Sequence, residues 1–136
     1  MTETVYKFVR VDGRGRRLCS PLADGRWQLS YELGHCTVPQ CEASLLFAWR
    51  RREDALDAWR GDPVKSQVQL YEATASACLD APVWMPLLVY PEDWQEYWLW
   101  FKGGMSPQLR NPAWKLYQPP VSLVLCQDLT LLRQVW

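Results

Sequence analysis

A chain of 136 residues, 49% hydrophobic and 22% charged, has the size of one ordinary domain and can bury a core without disulfide or metal staples. Fifteen Lys and Arg balance fifteen Asp and Glu, so the chain lacks the positive excess with which proteins hold nucleic-acid phosphates or anionic membranes. Zero net charge also lowers colloidal stability, which favours self-association or a permanent partner.

No apolar run approaches the roughly 20 residues of a membrane-spanning helix. The opening Met1-Thr2-Glu3-Thr4 shows no basic start leading into an apolar stretch. A cytoplasmic setting is therefore expected, with reduced thiols at Cys19, Cys36, Cys41, Cys78 and Cys126. The most distinctive count is nine tryptophans. Each buries roughly 150–250 Å², more in total than a core of this size needs, so part of the set is available for recognition.

The β-branched and aromatic run Val5–Val11 predicts a strand that stops at Asp12-Gly13. Arg16–Cys19 predicts a short return strand before a turn at Asp24-Gly25. Arg26–Leu33 alternates cleanly, with Trp27, Leu29, Tyr31 and Leu33 inward and Arg26, Gln28, Ser30 and Glu32 outward, as in an antiparallel strand ended by Gly34. Ser44–Trp49 is an apolar run that predicts a strand buried on both faces. Glu53–Arg60 predicts a helix: Ala55, Leu56 and Trp59 share one side, the first-turn acids complement the helix dipole, and Gly61-Asp62-Pro63 stops it.

Val64–Ala73 predicts a further strand with Val68 and Leu70 inward. Pro82 and Pro86 exclude a helix or a central strand from Ala81 to Tyr90. Pro91–Lys102 predicts a second, aromatic helix, with Pro91 in its first turn, Lys102 late and Gly103-Gly104 after its end. The β propensity of Tyr97–Phe101 makes a strand the alternative. Ser106–Pro120 is Pro-rich and irregular. Val121–Cys126 and Leu129–Val135 read as one long bent strand or as two strands joined at Gln127-Asp128. The expected architecture is one α+β domain over residues 1–136. It has a curved or barrel-like, mainly antiparallel sheet, one packed helix, and an irregular aromatic and Pro-rich insertion at 80–120.

The order of Tyr6–Arg10, Trp27–Gly34, Leu46–Trp49, Glu53-Asp54-Ala55 and Gln69–Ala73 resembles that of small uncharacterised domains of prokaryotic and phage proteins. The resemblance covers about the first half of the chain and the last strand. It implies a fold and no activity.

The catalytic inventory is thin. His35 is the single histidine, and no nucleophile elbow, phosphate loop or zinc-protease helix accompanies it. His35, Cys36 and Cys41 are candidate metal ligands, and Cys19 is a further thiol within their reach in sequence, but no Cys-x-x-Cys pair supports them. No cofactor is expected. Arg10 and Glu72 are the remote candidates for catalytic residues, similar to the Arg and Glu of ADP-ribosyltransferases, whose Ser-Thr-Ser and Glu-x-Glu elements are absent; the preferred reading of Glu72 is the solvent face of an antiparallel strand. Arg14, Arg16 and Arg17 with Arg50, Arg51 and Arg52 form a candidate anion-binding patch for a nucleotide or other small anion, or else ordinary surface charge balanced by Glu53, Asp54 and Asp57.

The sharpest feature is the arc of Trp94, Tyr97, Trp98, Trp100 and Phe101, which is wider than one packing face requires. It serves either as the lid of the core or as a binding surface, because Trp and Tyr are the usual anchors of interfaces. Trp27, Trp49 and Trp59 are expected in the core, while no predicted element accounts for Trp84, Trp114 or Trp136. The composition and this arc together point to a non-catalytic domain binding a protein partner or a second copy of itself.

Overall fold

A computed structural model describes residues 2–11, 18–19, 29–39, 45–59, 68–81, 85–86, 116–119 and 121–136. In chain order the elements are β1 (Thr2–Val11), β2 (Leu18–Cys19), β3 (Ser30–Tyr31), β4 (Cys36–Thr37), β5 (Leu46–Trp49) and α1 (Arg52–Trp59). They continue with β6 (Val68–Ser76), β7 (Leu79–Asp80), β8 (Met85–Pro86), β9 (Leu116–Tyr117), β10 (Leu123–Cys126) and β11 (Asp128–Gln134). The class is α+β: a nine-stranded sheet, a separate two-stranded sheet of β8 and β9, and the helix α1. Every strand pairing among the described residues is antiparallel.

The main sheet runs β4-β11-β6-β1-β5-β10-β7, with β2 on β1 and β3 on β2. Its spine is the long pairing of β1 with β6, in register from Thr2 opposite Ser76 to Arg10 opposite Val68. In a flat sheet, β10 and β11 would stand four strand spacings apart, roughly 19 Å. Gln127 alone joins them, and two residue steps of chain span at most about 7 Å. The sheet is therefore coiled, although its hydrogen-bonded path stays open, ending at β4 and β7.

A second bend lies beside the first. Ala77 and Cys78 separate β6 from β7, with Ala77 in the left-handed region (φ 49°). Before the bend Ser76 faces Asp128 of β11, and after it Leu79 faces Leu125 of β10. The Asp128 carboxylate bridges the break in the ladder, accepting from the Ser76 backbone N–H at 3.0 Å and from its hydroxyl.

Strand alternation divides the side chains between two faces. Into the coil point Val5 and Val9 of β1, Leu46 and Ala48 of β5, Tyr71, Ala73 and Ala75 of β6, Val124 and Cys126 of β10, and Leu129 and Leu131 of β11, with Leu29 and Tyr31 closing the cluster. On the outer face Phe8, Val68 and Leu70 pack with Ala55 of α1, bordered by Tyr6, Trp49, Leu56 and Val135. The last residues extend the sheet along β6: Val135 N–H donates to the Leu70 carbonyl at 2.8 Å, and Leu70 N–H to the Trp136 carbonyl at 2.9 Å. Phe8 makes T-shaped contacts with two indoles, Trp49 at 5.4 Å and Trp136 at 6.1 Å between centroids.

The structure departs from the sequence reading in several places. Of Arg26–Leu33 the described part begins at Leu29, and within it only Ser30–Tyr31 is strand. Leu33 is 49% exposed instead of inward, because the chain has already begun the turn in which His35 N–H reaches the Glu32 carbonyl, with Gly34 at φ 78°. Strand β5 is fully buried only at Leu46 and Ala48; Phe47 and Trp49 are half-buried. The strand expected over Val64–Ala73 is seen as β6 and runs on to Ser76. The C-terminal apolar run is two strands on different neighbours. The second aromatic helix, Pro91–Lys102, lies outside the described residues, as do Trp27 and most of the 80–120 insertion.

Because the inner face is filled from five strands at once, truncation there has no surface to relax into. Leu129→Ala, at a fully buried position of β11, is expected to cost about 2–5 kcal/mol in urea unfolding. Leu132→Ala, at the bulge of the same strand and 50% exposed, is expected to cost no more than about 0.5 kcal/mol.

Candidate functional site

Lys7 is the one charged residue among the buried positions described. Its place follows from parity: with Val5 and Val9 turned into the coil, the residue between them on the same face must follow. Only 7% of it is exposed. Its Nζ donates to the Phe47 carbonyl at 2.6 Å and stands 5.7 Å from the centroid of the Tyr31 ring, within cation–π range. Burial pulls its pKa down from 10.5 to about 8, against a weaker opposing influence of Cys126. Roughly a tenth of the amine is then neutral at pH 7.

Cys126, fully buried at the end of β10, has its Sγ 3.0 Å from that of Cys78 in the β6–β7 bend. Both are thiols. Burial pushes both above the ordinary thiol range, most strongly at Cys126, where Lys7 opposes the shift. At the rim, Arg50 donates from Nε to Glu3 Oε1 at 2.8 Å and from Nη1 to Asp80 Oδ1. These bonds, Glu3 first, raise its pKa further and tie β1 to β7 through the residue that follows β5. Lys7, the thiol pair and this ion triad form a polar seam from the interior of the coil to its edge.

The residues singled out from sequence fall elsewhere. Arg10 and Glu72 share the outer face of the β1–β6 ladder, but Arg10 stands opposite Val68 and Glu72 opposite Tyr6. Four residues of strand, roughly 13 Å, separate them along the ladder. Glu72 is half-buried and accepts from Arg133 Nε at 2.5 Å. Of the arginine candidates, Arg50 is held in its triad and Arg52 donates from Nη2 to the Val135 carbonyl at 2.9 Å. Arg51 is exposed and meets Glu53 and Asp54 at 3.9 and 3.8 Å. Arg14, Arg16 and Arg17 lie outside the described residues.

His35 is exposed and 3.6 Å from Glu32, Cys36 is exposed, and Cys41 lies outside the described residues. Among the described residues no three His, Cys, Asp or Glu side chains gather as metal ligands. Trp94, Tyr97, Trp98, Trp100 and Phe101 also lie outside them. What is described is the base of their segment: Met85 stands opposite Tyr117 and Pro86 opposite Leu116, in a sheet that shares no strand with the main one. The two ends of segment 87–115 are thereby brought together.

Sequence reasoning passed over Lys7 although a signal was present, a lysine at the inward parity of an otherwise apolar strand. The thiol pair has no such signal, since 48 positions separate its members. No protein-family model, curated protein or solved structure matches the chain significantly. No helix among the described residues is long and apolar enough to cross a membrane.

The lowered pKa of Lys7 makes stability depend on pH. Below about pH 8 the amine is charged in both states, and the folded protein carries the whole cost of burying it. Between about 8 and 10.5 the unfolded chain binds more protons than the folded one, so stability rises with pH. A shift of about 2.5 units corresponds to roughly 3 kcal/mol. In urea titrations from pH 7 to 10.5, wild type is expected to gain up to that amount relative to Lys7→Met, which lacks the titrating group.

Proposed function

We propose that the chain is a non-catalytic binding module. Its coiled, barrel-like sheet is a scaffold, and its aromatic segment, with Trp94, Tyr97, Trp98, Trp100 and Phe101, captures a protein partner or a second copy of the chain. The observation that carries this reading is that the two described indole side chains, Trp49 and Trp136, stand outside the buried core. That core is built from aliphatic residues with Phe8, Tyr31 and Tyr71. The described indole side chains, Trp49 and Trp136, lie on the outer face, and Trp136 is 43% exposed.

Two further points support the reading. The segment bearing the aromatic arc is bracketed by β8 and β9, which pair with each other in a sheet that shares no described strand with the main one. The zero net charge suits an apolar contact better than an electrostatic one. Arg50 and Arg52, two of the candidate anion-binding residues, already serve internal partners.

Sedimentation velocity across a hundredfold range of concentration, with acrylamide quenching of tryptophan fluorescence, tests the proposal. Self-association is expected to appear as a rising sedimentation coefficient, and Trp98→Ala to weaken it roughly 30-fold or more, the effect of losing an aromatic anchor worth about 2 kcal/mol. If the arc instead serves a different protein, the monomer persists and its indoles are readily quenched. A strict monomer whose Trp94, Trp98 and Trp100 are shielded from quencher removes the reading.

A further inference from the structure

We propose that Cys78 and Cys126 form a reversible dithiol–disulfide site that takes oxidising equivalents from low-molecular-weight disulfides and, when closed, locks the coil of the sheet. The two sulfurs are 3.0 Å apart, and the backbone on both sides of them is held in register. Ser76 pairs with Asp128 on one flank and Leu79 with Leu125 on the other. Bond formation therefore needs side-chain rotation and little movement of the chain. The cysteines also occupy the two bends themselves, Cys78 between β6 and β7 and Cys126 immediately before Gln127. A cross-link there staples the two turns that make the sheet coil.

Exposure assigns the order of events. Cys78 is half-buried and Cys126 fully buried, so Cys78 meets the oxidant. Its thiol loses a proton to solvent, and the thiolate attacks one sulfur of a small disulfide such as glutathione disulfide, releasing one glutathione thiolate that takes up a proton. Cys126 then gives up its proton, and its sulfur attacks the Cys78 sulfur of the mixed disulfide, releasing the second glutathione. In sum, the protein dithiol loses two hydrogens and the small disulfide becomes two thiols. The charges around the pair favour the thiolates from one side only. Arg50 favours that of Cys78 and Lys7 that of Cys126, while Glu3 disfavours both and Asp128 disfavours that of Cys78.

The test equilibrates the folded full-length chain in glutathione buffers of increasing disulfide fraction, quenches with acid, alkylates after unfolding and maps the peptides. The expected product is a peptide joining Cys78 to Cys126, lighter by two hydrogens and restored to two thiols by dithiothreitol. Its formation should raise the thermal midpoint by roughly 5 °C or more, since the bridge closes a long loop. Cys126→Ser, which lacks the resolving thiol, should instead accumulate the glutathione adduct on Cys78. If that variant does not fold, the wild-type map decides alone. The proposal is overturned if wild-type Cys78 and Cys126 both remain alkylatable under excess glutathione disulfide. It is equally overturned if Cys78 ends as a glutathione adduct or bonded to another cysteine.

Discussion

Gln127 is a single residue joining strands that stand four positions apart in the hydrogen-bonded order of the sheet. A flat sheet cannot satisfy that join, because strand spacing is set by the backbone hydrogen bond and chain reach by covalent geometry. Coiling resolves the conflict and creates an enclosed inner face. The large apolar cluster from β1, β5, β6, β10 and β11 follows from it, as does the pairing of the β6–β7 bend with the β10–β11 bend. The outer face is left to be covered piecemeal, by α1 near Phe8 and by the C-terminal residues along β6.

The same constraint explains why the polar seam lies where it does. Once the inner face is enclosed, the lysine on the inward parity of β1 cannot reach bulk water, and it takes the nearest backbone acceptor, the Phe47 carbonyl. A buried ammonium held this way is costly compared with an apolar side chain of similar size. Its neighbourhood holds the thiol pair, whose sulfurs meet because both bends converge on one edge of the coil. The ion triad of Glu3, Arg50 and Asp80 lies exposed at that edge.

The tryptophans follow the opposite logic. A small coiled sheet has little room inside, and its inner face is filled by Val, Leu and Ala with a few larger rings. The two described indole side chains, Trp49 and Trp136, lie on the outer face, each edge-to-face with Phe8. Core status for Trp49, expected from its apolar strand, becomes a half-buried place under the helix-covered face.

Sequence pattern determined the local elements of this protein. The strand at Val5–Val11, the helix after Arg51, the turn at Gly34 and the antiparallel class all follow from period, capping acids and glycine, which act over a few residues. Even the inward parity of Lys7 was legible, because alternation is a local property. Tertiary structure alone decided that the C-terminal run divides between two distant partners at Gln127, and that Leu33 turns outward. It also decided that Arg10 stays far from Glu72 while Cys78 touches Cys126. Each of these depends on which strands become neighbours, and neighbour choice is settled by how the whole sheet coils, a condition no short stretch of residues contains.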